Sequence, residues 1–202
     1  MSKTTIPEFT YLSEAIEYIN ENVTGKGVRC PACEKRCKID KRGFTSKMLR
    51  SLMLLREYDE QNPGEWCHTN YLEERGANRS GDVSSIRHWE MIEKKPGNKE
   101  GMNPRRGLWR ITQKGYDFLD GKIRIPKAWL GFKGQCYGLD ESKLISVNIA
   151  WGVKFDYKEV VIDPALPSKE DKKRYKEHLK QKRKERERKE REMTKLRQSQ
   201  TL

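Results

Sequence analysis

No apolar run in the 202 residues approaches the roughly 20 needed for a membrane-spanning helix, and the N-terminus has no signal-peptide core. These absences exclude a helical membrane protein and lead us to expect a cytoplasmic one that does not use a membrane as partner. Catalytic signatures are also missing. The chain contains no phosphate-binding GxxxxGK[ST] loop, no GxSxG elbow, no HExxH pair and no paired-carboxylate metal motif. His68, His88 and His178 each have a better explanation than catalysis, so the expectation is a protein that acts by binding. Apolar residues are scarce at 34%, and the last thirty-odd positions contain almost none. The remainder can bury one modest core.

What the chain does have is positive charge. The net charge is +13, and Ser168–Leu202 holds 15 Lys and Arg against 7 Asp and Glu. Residues 1–167 hold 28 against 23, so both parts are basic. Such a balance suits a polyanionic partner, nucleic acid being the commonest. Composition alone fits simple solubility, or a loose affinity for ribosomes or membrane surfaces, equally well.

Along the chain, Leu12, Ala15, Ile16, Ile19 and Val23 share one helical face, and Thr24-Gly25-Lys26-Gly27 ends that helix. Val28–Ile39 reads as a tight hairpin with thiols at its turn. Thr45 or Ser46 caps a second helix, with Met48, Leu49, Leu52, Met53 and Leu55 inward, stopped by Asn62-Pro63-Gly64. A strand-like Glu65–Thr69, a stubby helix closed by Gly76 and a helix from about Asp82 to Met91 follow. Ile92–Lys95 and Leu108–Thr112 read as strands around a long loop, and Thr112 caps a helix to Leu119. Beyond Lys122 we expect a β-hairpin turning at Lys133-Gly134, then a helix packed on the core.

Helix, strand, helix, helix, strand, loop, strand, helix is the order of a winged helix, with Pro96–Arg106 where the wing belongs. The expected class is therefore α+β: a winged helix-turn-helix core with a small N-terminal Cys hairpin, a β-hairpin extension and a charged C-terminal helix. The corresponding segments are 1–27, 28–44, 45–121, 122–167 and 168–202. In this arrangement one helix enters the major groove of double-stranded DNA and the wing touches the neighbouring backbone. At 100° per residue Val83, Ile86 and Glu90 point one way, and Ser84, Ser85 and His88 the other. Arg79 and Arg87 flank the polar face, Arg87 nearer the buried side. Trp89 reads as a structural anchor. Lys94, Lys95, Lys99, Arg105, Arg106 and Arg110 make a phosphate-facing set, against only Glu93 and Glu100. A solvated loop kept soluble by charge is the plainer alternative.

Leu108–Gly121, with its alternating strand, Thr cap, Gly and aromatic, resembles the strand-to-helix exit of many winged-helix proteins. From Cys30 to about Val160, roughly two thirds of the chain, the sequence resembles a family of small uncharacterised bacteriophage-type proteins. That pattern comprises a CPxC, zinc-ribbon-like hairpin, a basic link, a helix, a Trp-bearing recognition helix and this exit strand. The resemblance implies DNA-facing roles for Arg87, His88 and the wing cations, in a host cell's cytoplasm. It suits a transcription regulator or an accessory factor in replication or host takeover. The alternative is a winged-helix adaptor or inhibitor that grips a host machine or defence protein. The Thr24–Gly27 loop, Cys37 and the basic tail depart from the family pattern.

Without a secretory signal, five Cys suit reduced thiols or a metal. The Cys30–Cys33 CxxC brings two sulfurs toward one structural zinc, with Cys37 third and Cys67 or His68 completing the set. Cys136 is a remoter candidate, and a hairpin that keeps its thiols without metal is the alternative. The tail from Ser168 to Arg197 reads as a solvated, partly frayed helix with pairs Glu170–Arg174, Glu185–Lys189 and Glu187–Arg191, or as a disordered tail. It serves as an accessory phosphate-binding arm or docks a host or phage protein.

Overall fold

The computed structural model describes residues 11–77, 80–96, 107–132, 135–162 and 166–199. Its helices are α1 (Leu12–Asn22), α2 (Ser46–Gln61), α3 (Thr69–Glu74), α4 (Ser80–Ile86), α5 (Gln113–Leu119), α6 (Val147–Trp151), α7 (Tyr157–Ile162) and α8 (Lys169–Ser199). The strands are β1 (Val28–Arg29), β2 (Arg36–Cys37), β3 (Asp40–Gly43), β4 (Cys67–His68), β5 (Ile92–Lys94), β6 (Leu108–Ile111), β7 (Ile125–Phe132) and β8 (Gln135–Ile145). The fold is α+β, with small sheets. No described helix is long and apolar enough to cross a membrane.

Two compact units share the chain, Met1–Phe44 with Pro126–Leu144, and Thr45–Ile125 with Ile145–Leu202. In the first, β1 and β2 pair antiparallel around a turn closed by Cys30 N–H donating to Lys35 O at 2.8 Å. Glu34 takes a left-handed conformation (φ 57°) to complete that turn. Ile19 of α1, Val23 just after it and Cys37 form a small core, packed by Tyr18, Val28, Ile39 and Phe132. Gly27 (φ +72°) is required beside it, because a Cβ there would run into Cys37 O and come within 2.8 Å of Lys38 Cβ.

The two strands expected after Lys122 are neighbours as β7 and β8, the Lys133-Gly134 turn lying outside the described residues, and their sheet has a third member. The β3 strand pairs antiparallel with β7, Asp40 opposite Gly131 and Gly43 opposite Ala128, giving the order β3-β7-β8. The sequence Asp40-Lys41-Arg42-Gly43 has no apolar alternation to announce a strand. Arg42 lies over the Trp129 ring at 5.3 Å, and Lys41 pairs with Asp140 at 2.7 Å. That bond, helped by Ser142, holds the Asp140 carboxyl at about 2.

In the second unit α2 is the central helix. Thr45 caps it by accepting from Met48 N–H, and Met48, Leu49, Leu52, Met53, Leu54 and Leu55 are buried along it. The strands β4, β6 and β5 form a sheet in that order, Cys67 opposite Trp109 and Ile92 opposite Ile111. Trp109 and Ile111 are buried on one face, while Leu108 and Arg110 lie toward the other.

The far end of α2 is held by a polar cluster. Arg56 lies 5.1 Å from the Tyr116 ring and 4.0 Å from the Tyr157 ring, and donates to Glu60 (2.7 Å) and Asp120 (2.6 Å). Tyr116 donates to Asp59 at 2.6 Å, and burial together with that carboxylate pushes its phenol up. This cluster ties α2 to α5 and α7. The N-terminal end of α2 meets α8, where Lys172 donates to Ser46 Oγ at 3.1 Å.

Candidate nucleic-acid interface

The α4 segment buries Val83 and Ile86 completely, and Trp89 and Met91 follow them into the core. Ser84, Ser85 and His88 are half-buried on the side away from those anchors. The helix is shorter than the expected Asp82–Met91. After Ile86 the chain tightens into a 3-10 turn, Arg87–Trp89, and Glu90 ends it in the left-handed region (φ 61°). With three residues per turn, Ile86 and Trp89 stack on the buried side and Arg87 turns outward. Arg87 is thus exposed, not turned toward the core as a uniform α-helical wheel suggested. Glu90 likewise leaves the apolar face, forming a 2.8 Å ion pair with Lys114 that holds its carboxyl below the usual range.

Thr112 connects the end of this turn to the next helix. Its hydroxyl donates to Glu90 O at 2.7 Å and accepts from Gly115 N–H at 3.3 Å, while its own N–H donates to Met91 O at 3.0 Å. Gly115 sits where a Cβ would come 2.5 Å from Met91 O and 2.7 Å from Ile111 Cγ1, so α5 can approach only through glycine.

The β5–β6 ribbon is antiparallel, and Lys95 N–H donates to Leu108 O at 3.0 Å where it opens into the loop. The returning end is pinned by Thr69, a fully buried residue. Thr69 Oγ1 donates to Gly107 O at 2.8 Å and accepts from Gly107 N–H at 3.0 Å. Lys94 is half-buried and Lys95 exposed at this base. Arg79, Lys99, Arg105 and Arg106 lie outside the described residues. Arg110 is directly opposite Glu93 in the ribbon and donates to it at 2.9 and 2.6 Å, with its guanidinium 4.6 Å from the Trp66 ring. Its Nε and Nη2 are therefore engaged with Glu93.

The cysteines are dispersed in environment. Cys37 is buried, Cys30 half-buried and Cys33 exposed on the hairpin, and Cys67 is buried in β4 of the other unit. Burial pushes the Cys67 thiol up to about 12. His68 Nδ1 accepts from Asn70 N–H at 3.1 Å as the cap of α3. Among the described residues no group of three or more His, Cys, Asp or Glu side chains is placed to hold a metal ion.

Sequence reasoning missed the Thr69–Gly107 clamp, the Trp66–Arg110–Glu93 stack and the Arg56 cluster. The only signal for the stack was cross-strand opposition of Glu93 and Arg110, which needs the ribbon register. Comparison with known proteins found no matching family model, no matching curated protein and no matching solved structure.

Proposed function

We propose that this chain binds double-stranded DNA, and that residues 45–121 are a winged helix-turn-helix. The observation that carries the reading is the antiparallel β5–β6 ribbon that follows α4 and its 3-10 turn, with Lys94 and Lys95 at the end of β5 and Lys99, Arg105 and Arg106 in the sequence between the two strands. The order α2, β4, α3, α4, β5, β6 and the sheet order β4-β6-β5 support it.

In this reading α4 enters the major groove. Its small hydroxyls Ser84 and Ser85 and the His88 imidazole approach base edges or phosphates, with Arg87 outward beside them. The apolar anchors Val83, Ile86 and Trp89 hold the helix against α2. Lys94, Lys95 and the loop cations face the flanking backbone. Arg110 braces the ribbon through Glu93 and Trp66. The role this suits is a regulator of transcription or an accessory factor in replication or host takeover of phage type.

Titrating a labelled duplex with the protein across a salt series tests the reading. Affinity should fall steeply with salt, and replacing Lys94 and Lys95 by Gln should flatten the log–log slope by about 1.8, at ~0.9 per phosphate contact. No duplex binding at low salt would sink it.

A further inference from the structure

The long helix α8 carries two different charge arrangements. In its C-terminal half three ion pairs run along the helix. Arg188 pairs with Glu192 at 3.6 Å and Lys189 with Glu185 at 3.0 Å, and Arg183 reaches forward to Glu187 at 2.8 Å. Of the three pairs expected from spacing, Glu185–Lys189 forms, while Arg174 takes Asp171 and Glu187 takes Arg183.

The N-terminal half is arranged otherwise. Lys173, Lys176, Lys180 and Lys184 are exposed, and none of them enters an ion pair or hydrogen bond with a described residue. Their spacing of three, four and four places them within about 80° of arc at 100° per residue, and Lys169 continues the row one turn earlier. The row runs about 16 Å along the axis at 1.5 Å per residue. Like charges at these spacings repel one another, offset in part by Glu177, which lies four residues after Lys173 and three before Lys180. A polyanion laid along the row removes that repulsion.

The composition of the row selects among polyanions. Lysines stacked without an aromatic or apolar anchor are poor material for a protein interface, where Lys is depleted and buried anchors dominate. An interfacial membrane helix needs a broad apolar face, and the α8 sequence contains just Tyr175, Leu179, Met193 and Leu196. A DNA duplex presents one charge per about 1.7 Å of axis, or roughly ten along the row.

We infer that the face Lys173–Lys176–Lys180–Lys184 of α8 is a second duplex-DNA contact, tracking phosphates without reading sequence. The inference rests on the DNA-binding reading above for its partner, but uses none of the same side chains.

The test compares two variants of the full chain with equal loss of charge. One replaces Lys173, Lys176, Lys180 and Lys184 by Gln; the other replaces Arg174, Lys182, Arg186 and Lys189, which lie off the row, by Gln. Circular dichroism checks that both keep their helix. In a salt series on a labelled duplex, the row variant should lose about 3.6 from the log–log slope, at ~0.9 per contact, and the off-row variant less than about 1. Equal losses, or none in the row variant, would overturn the inference. The Lys94/Lys95 double variant in the same series separates the two claims. If it leaves the slope untouched while the row variant lowers it, the α4–ribbon reading fails and the α8 contact stands. If it lowers the slope while the row variant leaves it untouched, the α8 contact fails and the α4–ribbon reading stands.

Discussion

Thr69 and Gly107 hold each other through both polar groups of the glycine: the Thr69 hydroxyl donates to Gly107 O at 2.8 Å and accepts from Gly107 N–H at 3.0 Å. Thr69 begins α3, and Gly107 is the last residue before β6. The pair therefore fixes the returning end of the basic loop to the helix preceding α4. Thr69→Val, close in shape, removes both bonds and leaves the Gly107 N–H without this acceptor. The expected loss is about 1–3 kcal/mol, or about 2–4 °C in Tm per kcal/mol for a chain of this size. Thermal unfolding of Thr69→Val and Thr69→Ser checks it: Ser should keep most of the stability, and equal losses would contradict the role of the two hydrogen bonds.

Gly115 offers a prediction of opposite appearance. Alanine is the better helix former by about 1 kcal/mol, which favours Gly115→Ala in isolation. Its Cβ, however, would lie 2.5 Å from the Met91 carbonyl oxygen, a backbone atom that moves only with the end of the 3-10 turn. We expect net destabilisation, about 1–3 kcal/mol of overpacking outweighing the propensity gain. Chemical denaturation showing an unchanged or raised midpoint would contradict the close packing of α5.

These two positions also show what was legible in the sequence. Helix ends marked by local chemistry were readable: Thr45 or Ser46 as the cap of α2, where Thr45 is the one that caps, Thr112 as the cap of α5, and Asn62-Pro63-Gly64 as a stop. So was the alternation in β6, where Trp109 and Ile111 turn inward. Features set by distant partners were not. The polar strand β3 exists because β7 supplies its ladder, and Arg110 is engaged because the register puts Glu93 opposite. The outward turn of Arg87 follows from a 3-10 segment that a regular helical wheel does not contain. On the candidate interface, the residue types on α4 could be read from spacing, whereas the Thr69 clamp joins positions 38 residues apart.

Arg56 tests whether planar geometry matters in the cluster at the far end of α2. Its guanidinium lies 5.1 Å from the Tyr116 ring centroid and 4.0 Å from that of Tyr157 while donating to two carboxylates. Lysine keeps the charge but lacks the planar fork. Arg56→Lys should lower stability by about 1–2 kcal/mol, from a weakened charge-assisted hydrogen bond and cation–π contact. Urea denaturation measures this, and a variant as stable as the parent would show that charge alone suffices.

The cysteines should separate by reactivity. Cys67 is buried and its thiol raised to about 12, so it stays protonated through the mildly alkaline range; Cys33 and Cys136 are exposed. Alkylation followed by mass spectrometry should modify Cys33 and Cys136 first and Cys67 only on unfolding. The sign for stability follows from the raised folded value. The contribution is intact below the ordinary thiol value near 9 and is lost as pH rises from there toward about 12, because the unfolded thiol ionises first. Fast labelling of Cys67 in the folded protein would contradict its burial.

The central claim is that duplex DNA lies against α4 and the β5–β6 ribbon. Photo-crosslinking to a duplex from an unnatural residue at Ser85 or Lys95, with exposed Tyr137 of the other unit as reference, tests it most directly. Crosslinks are expected from positions 85 and 95 and none from 137. Crosslinks from position 137 alone, or none from any of the three, would contradict the claim.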